Sequence, residues 1–348
     1  MRGRAAVWIA MILVSAGVLA ATPAAAAGGS PSPQTTTGVS AQLVASGLKT
    51  PTSFAFGDGT LFEGDGGTTW TGGGNGGLYV LKGGSGIKLP GSPRFIAGMA
   101  WHDNALWTSG GGLSAIGVQT WQIQRWSGWN GERFAKRTAI YTGPKGFNGF
   151  NGLAFGPDGR IYVGVDTGLT DRNDHGPANT SRYVYDIVSM NTSGKAFKVY
   201  ARGIRQPWQL VFPAGSDVPF VSDLGQDADP SNPPDFLLRV HAGDNYGFPK
   251  CNWTTGSPCA GFTRPYKLLP PHTDLMGLAI IGDTLYMTSY IGLTDHEAAD
   301  GEVVDMPLTG GTIQPVVTGF TAPVVGLAAI GGWLYFGDLN GDVWRVRP

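Results

Sequence analysis

NGLAFGPDGRIYVGVD, residues 151–166, is an apolar run, a tight turn and a second apolar run. Pro157 presets the φ of a turn and Gly159 accepts a positive one, so the two runs are predicted to fold back as an antiparallel pair. The unit recurs as TSFAFGDGTLF (52–62), AGMAWHDNALWTS (97–109), WQLVFPAGSDVPFVSD (208–223), MGLAIIGDTLYMTSY (276–290) and VGLAAIGGWLYFGD (325–338). The copies start roughly 45 to 70 residues apart, a period that suits one four-stranded blade. Further strand-like runs follow, such as GGLYVLKGG (76–84), YVYDIVSMN (183–191), DFLLRVHAG (235–243), GEVVDMPLTG (301–310) and GDVWRVRP (341–348). Six copies predict an all-β, six-bladed β-propeller over residues 41–348. A β-sandwich or jelly roll is the alternative that short strands and glycine-rich turns also allow. In a propeller the long insertions 167–182 and 224–235 fall on one rim, where function concentrates.

Outward from the repeats, the first 27 of 348 residues do not belong to this pattern. Arg2 and Arg4 precede an almost unbroken apolar run, Ala5 to Ala20, and Ala24–Ala27 supplies small residues. This is the three-part order of a secretory signal peptide, so a secreted chain is expected; a retained anchor is the competing reading. The run is shorter than a span prefers, and no other segment could cross a membrane. Residues 28–40, GGSPSPQTTTGVS, read as a flexible linker.

Only 14% of residues are charged, and 24 Lys and Arg face 25 Asp and Glu, with no basic stripe. Nucleic acid is therefore not an expected partner. The 56 glycines carry no three-residue period, which excludes collagen and points to many turns. Cys251 and Cys259, in CNWTTGSPC, are expected to form a disulfide in an exported protein, since two cysteines alone cannot build a structural zinc site.

Several motif matches fail in context. GGGNGG (72–77) leads into a strand rather than a helix, HEAAD (296–300) ends in Asp300, and no G-x-S-x-G elbow is present.

Three pieces in order carry more: NGFNGLAFGPDGRIYVGVDTG (148–168), ARGIRQPWQLVF (201–212) and VSDLGQDADPSNPPDFLLRVHAGDNYGFPKC (221–251). Their arrangement resembles the glucose/sorbosone dehydrogenase family, soluble quinoprotein sugar dehydrogenases that are six-bladed propellers binding pyrroloquinoline quinone and calcium. The matched pieces cover about a third of the chain. The resemblance implies that Arg205 contacts the quinone, with Gln206 standing where the family has Asn. It implies that main-chain carbonyls of Gly225 and Gln226, beside Asp223, hold Ca²⁺, and that Asp166 orients the catalytic histidine. The residue types agree in kind. A guanidinium fork suits a carboxylate, and oxygens suit Ca²⁺. Asp227, Asp229 and Asp235 add charge nearby.

One position departs from the family pattern. Asn148 stands where the family places its histidine base, and neither it nor Asn151 can take a proton. Removing a hydroxyl proton during hydride transfer calls for a group such as imidazole. His272, in PPHTDLMGLA, and His175, on the loop after Asp166, are the candidate replacements, whereas His241 lies in a strand-like run and reads as structural. Among the 11 tryptophans, most are expected in blade cores, and Trp121, Trp126 and Trp129 are the candidates for an exposed ligand platform. The expected function is oxidation of a sugar or other alcohol by hydride transfer to pyrroloquinoline quinone. The alternative is an inactive propeller that binds carbohydrate or another extracellular ligand. A hydrolase or lyase on the same ring is a third reading.

Overall fold

The computed structural model describes residues 32–68, 75–113, 119–144, 149–167, 182–226, 229, 231–294 and 300–348. Residues 1–27, read above as a leader, and Asn148, His175 and Asp227 lie outside them.

The chain enters with two short strands, β1 (Gln34–Thr35) and β2 (Gln42–Ser46), which are used last in the architecture. Four-stranded antiparallel meanders follow. Blade one is β3 (Pro51–Gly57), β4 (Thr60–Asp65), β5 (Gly77–Lys82) and β6 (Gly84–Lys88). Blade two is β7 (Phe95–His102), β8 (Ala105–Leu113), β9 (Gln119–Trp129) and β10 (Phe134–Thr142). Blade three is β11 (Phe150–Phe155), β12 (Ile161–Val165), β13 (Ile187–Met190) and β14 (Lys198–Ala201). Blade four is β15 (Pro207–Val211), β16 (Phe220–Asp223), β17 (Asp235–Arg239) and β18 (Lys267–Leu269). Blade five is β19 (Leu275–Ile281), β20 (Thr284–Ser289), β21 (Glu302–Pro307) and β22 (Gln314–Thr318). Blade six is β23 (Val324–Ile330), β24 (Trp333–Asp338) and β25 (Val343–Val346), completed by β2 from the other end of the chain.

The first strand of each blade contacts the first strand of the next, and β23 contacts β3, so the ring closes on six blades. β2 also pairs in parallel with β6, which fuses blades six and one into an eight-stranded sheet. Residues 34–40 depart from the expected linker. β1 adds to the outer edge of blade five, Gln34 opposite Thr318, and Thr35 receives the Val39 amide on its side chain at 3.0 Å. Unpaired amides along β22 give this polar stretch a partner.

Each seam between blades has its own apolar core, for example Phe62, Ile96, Met99 and Leu106 between blades one and two. A further cluster fills the hub itself: Trp208, Met276 and Val325 from first strands, with Leu224 beside them and Phe95, Tyr290 and Leu339 packed against it. Among the described residues no helix is long and apolar enough to cross a membrane.

The recurring glycine of the repeat has a cause at the hub. All six innermost strand pairs carry a register shift, and four of them have glycine at or beside it: Gly98, Gly152, Gly277 and Gly326. A Cβ on Gly98 would lie 2.5 Å from Leu153 N, and one on Gly326 would lie 2.5 Å from Pro51 O. First strands therefore approach backbone to backbone. Side chains then bridge the seams to main-chain oxygens: Thr52 to Ile96 at 2.6 Å, Ser109 to Asn151, Asn151 to Pro207 at 3.1 Å, Ser222 to Met276 at 2.7 Å and Thr288 to Val325 at 3.2 Å. Asn151 is thus a buried hub bridge.

Candidate functional site

In an antiparallel meander the second-to-third turns and the blade-to-blade connections open on the same face. That face receives loops 202–206, 224–234 and 270–274, and with them Arg205, Gly225 and His272. The remaining described histidines lie at the other face. His102 ends β7 and stacks on Phe155 at 3.8 Å; His241 follows β17 and pairs with Asp244 at 3.5 Å.

Arg205 is buried, and its Nη1 donates to Leu224 O and to Gln206 Oε1, both at 3.0 Å. The Gln206 amide donates to Asp223 Oδ1 at 2.7 Å. Two loops 20 residues apart are thereby joined around one carboxylate. Asp223 is buried, which pushes its carboxyl up to about 7; the Gln206 amide and the Arg205 guanidinium oppose this, and Asp235 reinforces it. Asp235 is wholly buried. Its Oδ1 accepts the Gly225 amide, and its Oδ2 accepts the Asp274 amide at 2.9 Å. Asp235 therefore ties the Gly225 loop to the loop of His272, whose φ is 62°. A Cβ on Gly225 would lie 2.6 Å from Pro234 O and 3.1 Å from Asp235 Oδ1, so glycine is required for that approach. Asp229 accepts the amides of Ser231 and Asn232 and shapes a turn within its own loop.

Asp166 follows β12, one residue past the strand-end position that Asp65, Asp223 and Asp338 hold in their blades and Val165 holds in blade three. Asp65 accepts the amides of Lys49 (2.8 Å), Thr50 (3.2 Å) and Gly67 (2.6 Å), and Asp338 accepts those of Asn340 (2.9 Å) and Asp342 (3.2 Å).

The tryptophan platform is not there. Trp121 and Trp126 are buried in seam cores, Trp121 against Phe95 at 5.4 Å. Trp126 and Trp129 spend their N–H groups on Thr108 at 3.2 Å and Thr60 at 2.9 Å. Their polar, glycine-containing neighbourhood belongs to the alternating outer face of β9, which mimics an exposed stretch. Trp208, by contrast, lies under the candidate mouth in the hub cluster.

Cys251 and Cys259 are joined in a disulfide within a long excursion between β17 and β18. This excursion climbs back to the mouth. Phe248 N donates to Gly203 O at 3.1 Å, Tyr246 N donates to Arg202 O at 3.0 Å, and Asn252 meets Gln226. A narrow cleft separates it from blade four, lined by Arg205, Asp223, Gly225, Gln226, Phe248 and Asn252. Nothing in the sequence marked Asn252 as part of this group.

No protein-family model matches the chain, and no curated protein matches it. Solved structures do share its fold. A glucose dehydrogenase superposes with a TM-score of 0.69 at 16% identity, over 88% of this chain and 98% of that one. The PQQ-bound aldose sugar dehydrogenase of Streptomyces coelicolor gives 0.64 at 20% identity, over 87% and 96%. The soluble aldose sugar dehydrogenase of Escherichia coli, in its apo form, gives 0.67 at 13% identity, over 88% and 99%. The fold is that of the soluble sugar dehydrogenases. At these identities the likeness is one of architecture, and the site must be argued from its own residues.

Those residues suit a quinone and a hard cation in kind. The donors are all oxygens apart from the guanidinium, and the floor beneath them is apolar and aromatic. Among the described residues no three His, Cys, Asp or Glu side chains form a metal-holding group, so a cation here would rely on main-chain oxygens as well.

Proposed function

We propose that this chain is an exported oxidoreductase that oxidises a sugar or another alcohol, with pyrroloquinoline quinone as hydride acceptor and Ca²⁺ beside it. The observation that carries the proposal is the junction of Arg205 with the 224–226 loop, at one mouth and above the aromatic floor. Pyrroloquinoline quinone, when bound, would supply the two-electron acceptor for the hydride. The protein does the rest. Arg205 presents a planar fork to a ligand carboxylate, stiffened by its bond to Leu224 O. Carbonyls of Gly225 and Gln226, with Asp223, would hold the cation. Trp208, Met276 and Tyr290 close the hub below and exclude water from that side. His272, the described imidazole on this face, takes the hydroxyl proton. A leader in residues 1–27 and the Cys251–Cys259 disulfide accord with an oxidising compartment outside the cytoplasm.

Asn148 supports a second reading, a ligand-binding propeller without turnover, because an amide cannot act as the base. Dye reduction separates the two. Purified protein is loaded with quinone and Ca²⁺ and offered a panel of aldoses and alcohols. Turnover that His272→Ala abolishes while the cofactor stays bound supports the oxidoreductase. Cofactor binding with no turnover on any substrate supports the second reading and removes the first.

A further inference from the structure

We infer that Asn252 is a positioning residue for the mouth: the disulfide-closed loop 251–259 carries it against the 224–231 loop, where it fixes Gln226. The inference rests on the reading of that loop as the cation and quinone cradle.

Each polar atom of the Asn252 side chain is engaged. Nδ2 donates to Gln226 Oε1 at 3.3 Å and to Ser231 Oγ at 3.2 Å, so a single amide spans both ends of the cradle loop. Oδ1 accepts from Thr254 N at 3.4 Å, Thr254 Oγ1 at 2.8 Å and Ser257 Oγ. These last bonds lie inside the disulfide loop and hold the side chain in one rotamer before any ligand arrives. The base of the loop is equally fixed. Cys251 is buried, its amide donates to Gly247 O at 3.0 Å, and a Cβ on Gly247 would lie 2.8 Å from Cys251 Cβ. The same excursion holds the Arg205 side through Gly203 and Arg202. It is therefore a brace that grips both halves of the cradle, with Asn252 as its contact on the cation side.

A cradle of carbonyl oxygens selects a cation only if its spacing is held, and supporting hydrogen bonds do this in built sites. Among the described residues the segment 224–231 is tied by the Leu224 amide to Gln206 O at 3.4 Å, by the Leu224 oxygen to Arg205, by the Gly225 amide to Asp235 and by the Ser231 amide to Asp229. Asn252 adds a tie from the disulfide loop, at Gln226 and Ser231.

The test compares wild type with Asn252→Ala. Amide hydrogen exchange across 224–231 is measured in the cofactor-free protein, and affinities for Ca²⁺ alone and for pyrroloquinoline quinone are measured by titration. Two lost hydrogen bonds should raise exchange of these amides about tenfold and lower Ca²⁺ affinity by a similar factor, with the melting temperature almost unchanged. Wild-type exchange in the variant would overturn the inference, as would wild-type Ca²⁺ affinity. If Asn252→Ala fails to fold, reduction of Cys251–Cys259 in the wild type with a phosphine must produce the same local loosening, and its absence counts equally against the brace. Should wild type bind neither Ca²⁺ nor quinone, the functional reading falls, and exchange alone decides whether Asn252 fixes the loop.

Discussion

Arg205 Nη1 donates to the main-chain oxygen of Leu224 at 3.0 Å, across 19 residues of sequence. This bond brings the only buried arginine among the described residues to the loop of Gly225 and Gln226. Removing it affects both stability and binding. Arg205→Ala leaves the Leu224 oxygen and the Asp223 carboxyl without their cation, and is expected to cost about 1–3 kcal/mol in urea unfolding. Arg205→Lys should recover little of the binding, because a point charge cannot replace the planar fork.

The hub geometry makes a ranked prediction. Gly98→Ala forces a Cβ into the Leu153 amide and is expected to destabilise by about 1–3 kcal/mol or more. Ser222→Ala removes one bridge to Met276 O and should cost about 1 kcal/mol. Chemical unfolding of both variants checks the order; equal losses would mean that first strands can separate freely at the hub.

Glu63 is wholly buried in blade one, opposite Phe54 and Tyr79, and among the described residues neither carboxyl oxygen has a hydrogen-bond partner. Burial, reinforced by Asp65, raises its carboxyl well above the usual range. Glu63→Met keeps the volume and removes the unsatisfied oxygens, so it should stabilise the protein by about 1–3 kcal/mol. A lower unfolding midpoint for this variant would show that Glu63 has a partner after all.

Stability should also depend on pH in an unusual direction. Burial pushes Asp186 from its ordinary 3.8 up to about 7, against the opposing Arg202. The folded chain then holds the proton more tightly than the unfolded chain. The contribution of Asp186 is complete below 3.8 and is lost as pH rises towards 7. Asp223, also near 7, acts in the same window. With cations chelated, the urea midpoint should fall from pH 4 to pH 7, and Asp186→Asn should flatten that fall. A midpoint rising over this interval in both proteins would contradict these assignments.

The blades were legible because each first and second strand pair repeats one demand: apolar side chains for the seams, a tight turn between the strands, and often glycine where backbones meet. Arg205 and Gly225 could be placed on one face from topology alone. Other features depend on contacts that no local pattern encodes. Trp121 and Trp126 sit among polar neighbours in sequence and yet fill seams, because their partners come from adjacent strands and blades. Residues 34–40 look like a tether until β22 offers an edge. Asn252 looks like a loop residue until the disulfide folds it onto Gln226.

The most direct measurement is the melting temperature of the mature protein with and without saturating pyrroloquinoline quinone and Ca²⁺, for wild type and Arg205→Ala. A ligand present at about 100 times its dissociation constant should raise the wild-type value by about 5 °C, and the variant by clearly less. No shift in the wild type at saturation, or the same shift in both proteins, would contradict the role given to this mouth.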